Sequence, residues 1–458
     1  SLAAAPQNLV DAVWTDRPAA PQAPIVPHPL DYAGEASAEK RARLAADLAG
    51  KDLDAALLTA PDGVAWLLNV RGGDVDHTPL PLSFAILGAD AGISWFVDAA
   101  KLDGGVREWV GNQVDIQPFE QFPTALRAFE GKRVLVPRSA PAATSQILEA
   151  NGAETTSGDD PTSLPKARKN AAEIAGTRAA HLRDAVAIAC FLCWLDTEAQ
   201  AGGVTELQAS DQLEAYRREL EGFRDLSFPT ISGAGPNGAI VHYRVTPESN
   251  RELEPGSLYL VDSGGQFVDG TTDITRTVAI GAPTDEMRRA YTLVLKGHLA
   301  LSAAKFPKGA TGAQLDSLAR APLWAAGLDF DHGTGHGVGS YLSVHEGPQR
   351  ISKAGTAVLE PGMILSNEPG YYKTDAFGIR IENLILTEPV DIFSGEREML
   401  GFETLTSAPY DRRLIDSGML SSEEVNQVNA YHAQVNALVG PHVLAAVAKW
   451  LTAATSPL

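Results

Sequence analysis

The sequence predicts an α+β protein in which a smaller α/β region precedes a larger region of helices and strands. In residues 36–165, short apolar runs alternate with helical patterns, which is typical of an α/β layer. After a Pro-containing linker, long helical patterns come first and strand-like runs follow, an order that favours α+β over a repeated βαβ unit. Several of those later strand-like runs carry acidic or imidazole side chains beside glycines.

The first 165 residues divide into an arm and a layer. Residues 1–35 are rich in Pro and Ala, and proline fixes φ and removes a donor, so we predict an extended arm. In residues 36–165 we predict an N-terminal α/β domain with a polar surface loop at residues 70–77. Its strands are predicted at residues 55–58, 84–87, 93–97 and 134–136.

The larger domain is predicted to cover residues 166–458. Residues 159–165 read as a linker, and a strand-like run occupies residues 239–243. A helical tail begins near Ser421, where Ser421 and Glu424 have the spacing of a capping box. Further helices are predicted at residues 171–199, 205–220 and 285–304.

Charge and composition exclude some classes of partner. The net charge of −20 argues against nucleic acid or an anionic membrane as a binding partner. The longest apolar run, residues 185–195, is too short to cross a bilayer. Cys190 and Cys193 lie in a helical pattern without a second pair, so we interpret them as packing thiols. These features favour a soluble cytoplasmic protein.

One hairpin pattern carries two aspartates. An apolar run at residues 258–261 leads to Asp262, Gly264 and Gly265 allow a tight turn, and a second run carries Asp273. The spacing of eleven residues suits two antiparallel strands whose carboxylates point the same way. Taken alone, such a hairpin is explained more simply by solvated acids than by a site.

Downstream motifs change that interpretation. Three further His or Glu side chains lie inside glycine-marked turns or apolar strands. Acids and imidazoles in a buried pattern are costly unless they are paired or bound to metal. A site for two metal ions explains the whole set most economically, with five ligands: Asp262, Asp273, His336, Glu368 and Glu382.

The types of ligand limit the metal and the chemistry. Oxygen and imidazole donors without a thiolate suit Mn²⁺, Co²⁺ or Zn²⁺. Two such ions that share a water lower its pKa and provide hydroxide as a nucleophile, and a glutamate ligand can take its proton. His242, His332 and His345 remain available to hold a substrate carbonyl and its oxyanion. For the other six histidines we expect surface or capping positions.

The motifs that carry these residues closely resemble those of the metallopeptidases with the pita-bread fold. Within that fold they are most similar to aminopeptidase P, the Xaa-Pro aminopeptidase family, in its longer cytosolic type. The match is strong over residues 166–458 and more diffuse over residues 1–165. The segments that carry it are 273–277 (DITRT), 332–340 (HGTGHGVGS), 344–348 (VHEGP), 367–372 (NEPGYY) and 380–383 (RIEN), with 9–18 and 66–71 in the first part.

The resemblance implies a pita-bread catalytic domain after a domain like the N-terminal domain of creatinase. It implies two divalent ions per chain, manganese first, and cobalt or zinc as alternatives. Asp273 and Glu382 would bridge them, Asp262 would bind one ion, and His336 and Glu368 the other. Glu368 would also act as the base. The implied substrate contacts are His242 and His345 at the scissile carbonyl and His332 in a proline pocket, with Arg380 and Tyr372 in a proton relay.

The resemblance also implies a substrate and leaves alternatives. The substrate would be a peptide with proline second, and the enzyme a homodimer. The longer type carries one more domain before these two, and we expect that domain to be missing here. A prolidase that cleaves Xaa-Pro dipeptides on the same fold is an alternative. A peptide-binding module without catalysis is another, because a fold does not fix a function.

Overall fold

The computed structural model describes residues 8–458. Before residue 36 it contains α1 (Leu9–Val13), β1 (Val26–Pro27) and α2 (Leu30–Ala33). The prediction of an extended arm is therefore wrong for these helical segments, and residues 1–7 of the arm lie outside the described part. Ile25 is buried in the core of the region that follows, which fixes this end of the chain against it.

A six-stranded mixed sheet forms the centre of the N-terminal region, in the order β6-β5-β4-β2-β7-β8. The four predicted strands are confirmed. The two strands that the sequence did not reveal, β6 and β8, are the edges of this sheet, and their mostly polar, exposed residues give no apolar run. The elements are α3 (Ser37–Gly50), β2 (Ala55–Leu58), α4 (Pro61–Leu68), β3 (Val70–Arg71), β4 (Phe84–Gly88), β5 (Ile93–Phe96), α5 (Gly104–Val110), β6 (Val114–Gln117), α6 (Phe122–Ala125), β7 (Arg133–Pro137), α7 (Ala142–Ala150) and β8 (Glu154–Gly158).

The segment at residues 70–77 differs from its prediction as a surface loop. It opens with strand β3, which pairs with β1, and Arg71 is buried with 3% of its surface exposed. The predicted linker also contains a short helix, α8 (Ser163–Ala167). Part of each segment contacts the C-terminal region: the buried guanidinium of Arg71 lies against Ser340 and Tyr341, and α8 lies against residues 346–351.

The C-terminal region begins with two long helices and continues as strands. The predicted helices are confirmed, and α12 was not predicted. The capping box predicted at Ser421 and Glu424 is also present. The elements are α9 (Ala171–Trp194), α10 (Glu206–Arg218), β9 (Phe223–Leu226), β10 (Ile231–Ala234), β11 (Ser257–Ser263), β12 (Gly265–Phe267), β13 (Gly270–Thr271), β14 (Ile274–Ile280), α11 (Asp285–Ser302), β15 (Phe306–Pro307), α12 (Gly312–Trp324), β16 (Gly335–Gly337), β17 (Glu346–Ile351), β18 (Ile364–Asn367), β19 (Gly370–Lys373), β20 (Phe377–Arg380), β21 (Asn383–Val390), β22 (Met399–Thr404), α13 (Ser422–Val439) and α14 (Ala445–Ala454).

Two sheets of this region define the place of the site. One has the order β10-β11-β14, and the other has the order β15-β22-β21-β18-β16-β17. Apolar side chains of α9 and α10, such as Phe191 and Leu213, pack on β11 and β14, where Tyr259 and Ile280 are fully buried. Apolar side chains of α11 and α12 pack on the strands of the two sheets.

The strand predicted at residues 239–243 is wrong. A 3-10 turn occupies Gly235–Ala239, and the next residues continue as turns. Gly235 has a φ of 53°, a left-handed conformation that glycine adopts without strain, and Pro236 supplies no backbone donor for a ladder. The turn residues therefore override the β propensity of the apolar run, and His242 lies on a loop.

None of the helices in residues 8–458 combines the length and the hydropathy that a bilayer crossing requires.

Candidate metal and peptide site

The two aspartates come from neighbouring strands. Strand β11 pairs antiparallel with β14 and places Asp262 opposite Thr275, while Asp273 immediately precedes β14. Both aspartates are buried, with 8% and 4% of their surface exposed. A glycine is required at position 264, because a β-carbon there would lie 1.9 Å from the carbonyl oxygen of Thr272. The hairpin thus brings both carboxylates to one side of the sheet.

The other three predicted ligands come from the six-stranded sheet and its edges. His336 lies on β16, Glu368 directly follows β18, and Glu382 lies between β20 and β21. Strand β16 approaches β18 so closely that a β-carbon at Gly335 would lie 1.9 Å from the carbonyl oxygen of Ser366. The glycines around His336 therefore let its strand lie against the strand that leads to Glu368.

The five side chains meet in one cluster. Ligand atoms of Asp273, His336 and Glu382 all lie within 4.8 Å of one another. His336 Nε2 is 3.5 Å from Asp273 Oδ2 and 3.6 Å from Glu368 Oε1. The hydroxyl of Thr275 donates to Glu382 Oε2 at 2.8 Å. Asp262 joins the group from the adjacent strand. All five residues line one cavity.

The ring of His336 is oriented by its backbone. Nδ1 is 3.0 Å from the carbonyl oxygen of Gly337, which can only accept a hydrogen bond, so Nδ1 carries the proton. The lone pair of Nε2 is then left for the cluster of carboxylates. This arrangement, a ring fixed through one nitrogen and free at the other, is common for histidines that bind metal.

The charges of the clustered carboxylates are not balanced by the side chains around them, as is expected for a site that binds cations. Asp262 Oδ1 and Asp273 Oδ1 are buried and have no hydrogen-bond partner. Burial raises the pKa of Asp273, and the neighbouring Asp262 and Glu368 carboxylates raise it further. Burial and the carboxylate of Asp273 likewise raise the pKa of Glu382. Buried acids that cannot satisfy each other, with no thiolate among them, match a site for hard or borderline divalent cations.

A hydrogen-bonded chain links the cluster to His332. Arg380 donates to Asp262 Oδ2 at 2.7 Å and to the hydroxyl of Tyr372 at 2.6 Å. The Tyr372 hydroxyl is 2.9 Å from His332 Nε2, while His332 Nδ1 is 2.8 Å from the carbonyl oxygen of Gly333. His332 Nδ1 therefore carries the proton, and Nε2 accepts from Tyr372. Burial and the charge of Arg380 lower the pKa of His332 to about 4, so the ring is neutral.

A cavity of about 470 Å³ opens in front of the cluster. This volume lies in the range of small-ligand sites. His242 and His345 both line it, and the ring of His345 lies edge-on to His336 with the centroids 4.1 Å apart. Tyr372 is the one predicted site residue behind the cavity wall, connected to it through Arg380 and His332. One wall is apolar and was not predicted: Phe228, Pro229, Ile231 and Val241.

The N-terminal region holds the segment that carries His345. The buried guanidinium of Arg71 donates to the carbonyl oxygens of Tyr341 at 2.6 Å and Ser340 at 3.1 Å. Gln266 donates to the carbonyl oxygen of Leu342 at 2.7 Å. Sequence reasoning missed these contacts, because they join residues about 270 and 76 positions apart. The only signal was the unusual placement of Arg71 after an apolar run.

The other end of this segment is held by a cluster of buried charges. Lys166 Nζ is 2.6 Å from Glu346 Oε2 and 2.9 Å from a carboxylate oxygen of Asp62, and Lys169 donates to the second oxygen of Glu346. Burial alone would lower the pKa of Lys166, but the carboxylates of Glu346 and Asp62 outweigh it and raise the pKa. Glu346 directly follows His345, so the cluster fixes the position of that histidine.

The expectation that the remaining histidines lie at the surface is wrong for four of them: His28, His181, His298 and His432 are buried. His298 lies behind the cluster. Its Nδ1 is 3.1 Å from the carbonyl oxygen of Asn367, and its Nε2 is 3.2 Å from the side chain of Asn383. Asn367 and Asn383 are the chain neighbours of Glu368 and Glu382, so His298 ties the two glutamate-bearing segments together.

Fold and site together define a class. A cluster of four carboxylates and one imidazole, in a cavity wide enough for a short peptide, is typical of hydrolases that use two metal ions. Comparison with known proteins narrows this class. The family model for metallopeptidase family M24 matches residues 175–389, and that for its C-terminal region matches residues 398–458. The model for the creatinase/prolidase N-terminal domain matches residues 16–173.

Individual relatives agree with the family models. The chain is 40% identical to a Coprinopsis cinerea protein named "Probable Xaa-Pro aminopeptidase P", over 99% of this chain and 76% of that protein. It is 38% identical to aminopeptidase P1 of Lotus japonicus, over 99% of this chain and 79% of that protein. A crystal structure of X-prolyl aminopeptidase from Caenorhabditis elegans, described as a cytosolic enzyme with a dinuclear active site, superposes with a TM-score of 0.95 at 37% identity, over 99% of this chain and 76% of that one.

The chain therefore belongs to metallopeptidase family M24, in its Xaa-Pro aminopeptidase P branch. The predicted fold class, a pita-bread catalytic domain after a domain like the N-terminal domain of creatinase, is confirmed.

Proposed function

We propose that this protein is a metal-dependent aminopeptidase that hydrolyses the bond between an N-terminal residue and a proline in second position. One observation carries the proposal: the five acid and imidazole ligands converge in the same cavity as His242, His332 and His345. Membership in the aminopeptidase P branch supports it, because the relatives bear that activity in their names.

Two divalent ions would be held by the five side chains of the cluster. Asp273 and Glu382 would hold both ions, Asp262 would hold one of them, and His336 and Glu368 the other. Such ions would supply positive charge that lowers the pKa of a nearby water molecule. The oxygen-rich set favours manganese over zinc, with cobalt as a further alternative.

The side chains of the chain itself would move protons and hold the substrate. Glu368 lies at the cavity wall, within hydrogen-bond reach of the hydroxyl of Ser366 at 3.2 Å, and would take the proton of the attacking water. His242 and His345 would donate to the oxygen of the scissile carbonyl and stabilise its negative charge as the bond breaks. In a relay toward the leaving nitrogen, the hydroxyl of Tyr372 would exchange a proton with His332, while Arg380 keeps its own proton and holds that hydroxyl in place.

A penultimate proline fits the apolar wall of the cavity. The bond before proline is a tertiary amide without an N–H, so recognition cannot depend on that donor. Phe228, Pro229 and Ile231 offer apolar surface for the pyrrolidine ring, and the neutral ring of His332 lines the same cavity. Recognition through ring shape and a carbonyl-directed hydrogen bond would then replace the missing backbone donor.

We also make proposals for the oligomeric state of the protein, its location in the cell and its domain boundaries. We propose a homodimer, to be checked by light scattering, and a cytosolic location, which the description of the Caenorhabditis elegans enzyme supports. We also propose that residues 36–165 form an N-terminal domain and residues 166–458 the catalytic domain with its helical tail.

The experiment compares peptide length and metal. Purified protein is assayed on the tripeptide Ala-Pro-Ala and the dipeptide Ala-Pro, before chelation, after chelation, and after manganese is added back. We expect cleavage of the tripeptide, loss of cleavage after chelation, and recovery with manganese. Preference for the dipeptide would indicate a prolidase. Full activity with less than one ion per chain would overturn the metal mechanism, and ion binding without cleavage would indicate a peptide-binding module.

A further inference from the structure

Two arginines of the cavity wall have no assigned task. Arg244 and Arg350 line the cavity together with the cluster, and both are exposed. The third arginine of the wall, Arg380, is occupied by Asp262 and Tyr372. Among residues 8–458, by contrast, neither Arg244 nor Arg350 forms a salt bridge. Two cations without a partner on the wall of a substrate cavity are available to an anionic ligand.

Strand pairing shows which way Arg350 points. Residue 350 on β17 is the partner of His336 on β16, and residues directly opposite in an antiparallel pair have side chains on the same face, roughly 5 Å apart. On β17 the neighbours Gln349 and Ile351 are buried on the other face, as the period of two requires. Arg350 therefore stands beside His336 on the cavity side of the sheet.

Arg244 approaches the same cavity from the loop that carries His242. The residue between them, Tyr243, points inward and bonds to Glu206 at 3.0 Å through its hydroxyl, while His242 and Arg244 are exposed and face the cavity. Each arginine is thus placed next to a histidine that faces the substrate, one on the loop and one on the strand.

The cavity is consequently polarised along its depth. The buried acids Asp262, Asp273 and Glu382 mark its inner part, and the exposed arginines mark its outer part. A peptide whose amino end lies at the cluster extends outward by about 3.3–3.6 Å per residue. The residue after proline therefore reaches the outer part of the cavity, where only a positive charge is offered.

We propose that Arg244 and Arg350 form a carboxylate-binding subsite that favours peptides with an anionic group on the residue after proline. This inference rests on the proposed function and names its substrate class: short peptides that end at the third residue, or longer ones with an acidic third residue. Both sources present the same carboxylate to a guanidinium, which binds it by charge-assisted, often bidentate hydrogen bonds.

The test compares substrates that differ only in that charge. One pair is Ala-Pro-Ala with a free or an amidated carboxyl end, and a second pair is Ala-Pro-Glu-amide and Ala-Pro-Gln-amide. For the native protein we expect kcat/KM to favour the charged member by about threefold to tenfold, since exposed ion pairs are worth up to about 1 kcal/mol each. The preference should shrink at high ionic strength. A preference in the first pair shows that the C-terminal carboxylate is bound, and a preference in the second pair shows that an acidic side chain of the third residue is bound.

Variants then assign the effect to residues. Arg350→Gln should reduce the preference severalfold, and the double variant with Arg244→Gln should reduce it to about one. Arg289→Gln is the control, because it removes the same charge from an exposed position of α11. An equal preference in the native protein and the double variant would overturn the proposal, as would an equal loss in the control.

A binding measurement separates this proposal from the peptidase function. Calorimetry compares the dipeptide Pro-Ala with Pro-Ala-amide, neither of which contains the Xaa-Pro bond that the proposed activity cleaves. Tighter binding of the free acid, lost in the double variant, supports the subsite even if no peptide is cleaved. Cleavage of Ala-Pro-Ala together with equal binding of both dipeptides would refute the subsite and leave the peptidase function intact.

Discussion

Replacement of Glu346 by glutamine tests how the N-terminal region controls the site. The carboxylate of Glu346 is fully buried and accepts from Lys166 at 2.6 Å and from Lys169. Glutamine keeps its shape but removes its charge. Lys166 would keep Asp62 at 2.9 Å, whereas Lys169 would keep only the carbonyl oxygen of Lys166 at 2.7 Å. The variant thus leaves the buried ammonium of Lys169 without its salt-bridge partner.

The structure sets how much the Glu346→Gln variant should lose in stability and in activity. Removing one partner of a buried ion pair costs about 3–5 kcal/mol, and we expect the free energy of unfolding to fall by about that amount. Glu346 is the residue after His345, so its release lets the imidazole shift. A displacement of about 1 Å at a reacting group costs about a hundredfold in rate, and we expect kcat/KM on Ala-Pro-Ala to fall about that far.

A double-mutant cycle shows whether Glu346 acts through His345. The rates are measured for Glu346→Gln, His345→Ala and the double variant, with thermal unfolding followed in parallel. If Glu346 positions His345, its replacement should cost little further activity once the imidazole is absent. Glu360→Gln is the control, because Glu360 pairs with Arg168 at the surface, where an ion pair contributes about 1 kcal/mol or less.

Two results would refute the proposed role of Glu346. If Glu346→Gln lowers kcat/KM as strongly in the His345→Ala background as in the native protein, Glu346 does not act through that histidine. Native stability of the Glu346→Gln variant would likewise show that the charge cluster does not hold the segment.

Three further predictions concern the metal and pH. Asp273→Ala should bind fewer than two ions per chain and lower kcat at least about a hundredfold, because the central carboxylate of the cluster is lost; elemental analysis and peptide assays measure this. Since the pKa values of Asp273 and Glu382 are raised without metal, protons compete with the ions. Metal affinity should therefore fall as the pH falls below neutral, with proton release visible by calorimetry in two buffers; a pH-independent affinity contradicts this. Burial lowers the pKa of His28 from 6.5 to about 2. Below pH 6.5 the unfolded chain therefore takes up a proton at this histidine that the folded chain does not, and the free energy of unfolding decreases as the pH falls. At pH 5 the loss should be about 2 kcal/mol, and His28→Asn should flatten the pH profile of unfolding; an unchanged profile would contradict it.

The sequence predicted the elements that are determined by residues close together along the chain. The hairpin of Asp262 and Asp273 followed from an apolar run, two glycines and a spacing, and the helices followed from periodicity and caps. The pattern failed at residues 239–243, where the turn that begins at Gly235 and Pro236 continues into an apolar run. It also failed at the polar edge strands β6 and β8, which bury too little to show a period of two.

Contacts between distant segments were beyond the sequence. The placement of Arg71 after an apolar run does not show that its guanidinium is buried against Ser340 and Tyr341. The burial of His298 between two asparagines is equally invisible, because a histidine on a helix has the same local pattern at the surface and in the core. The ten predicted site residues could be named because glycine-rich motifs mark them, whereas the residues that hold them in place carry no such mark.

Anomalous diffraction from crystals of the protein grown with manganese would show whether the five side chains hold two ions. We expect two manganese peaks per chain, both in contact with Asp273 and Glu382, one beside Asp262 and the other beside His336 and Glu368. A single peak, or peaks that none of these side chains touches, would contradict it.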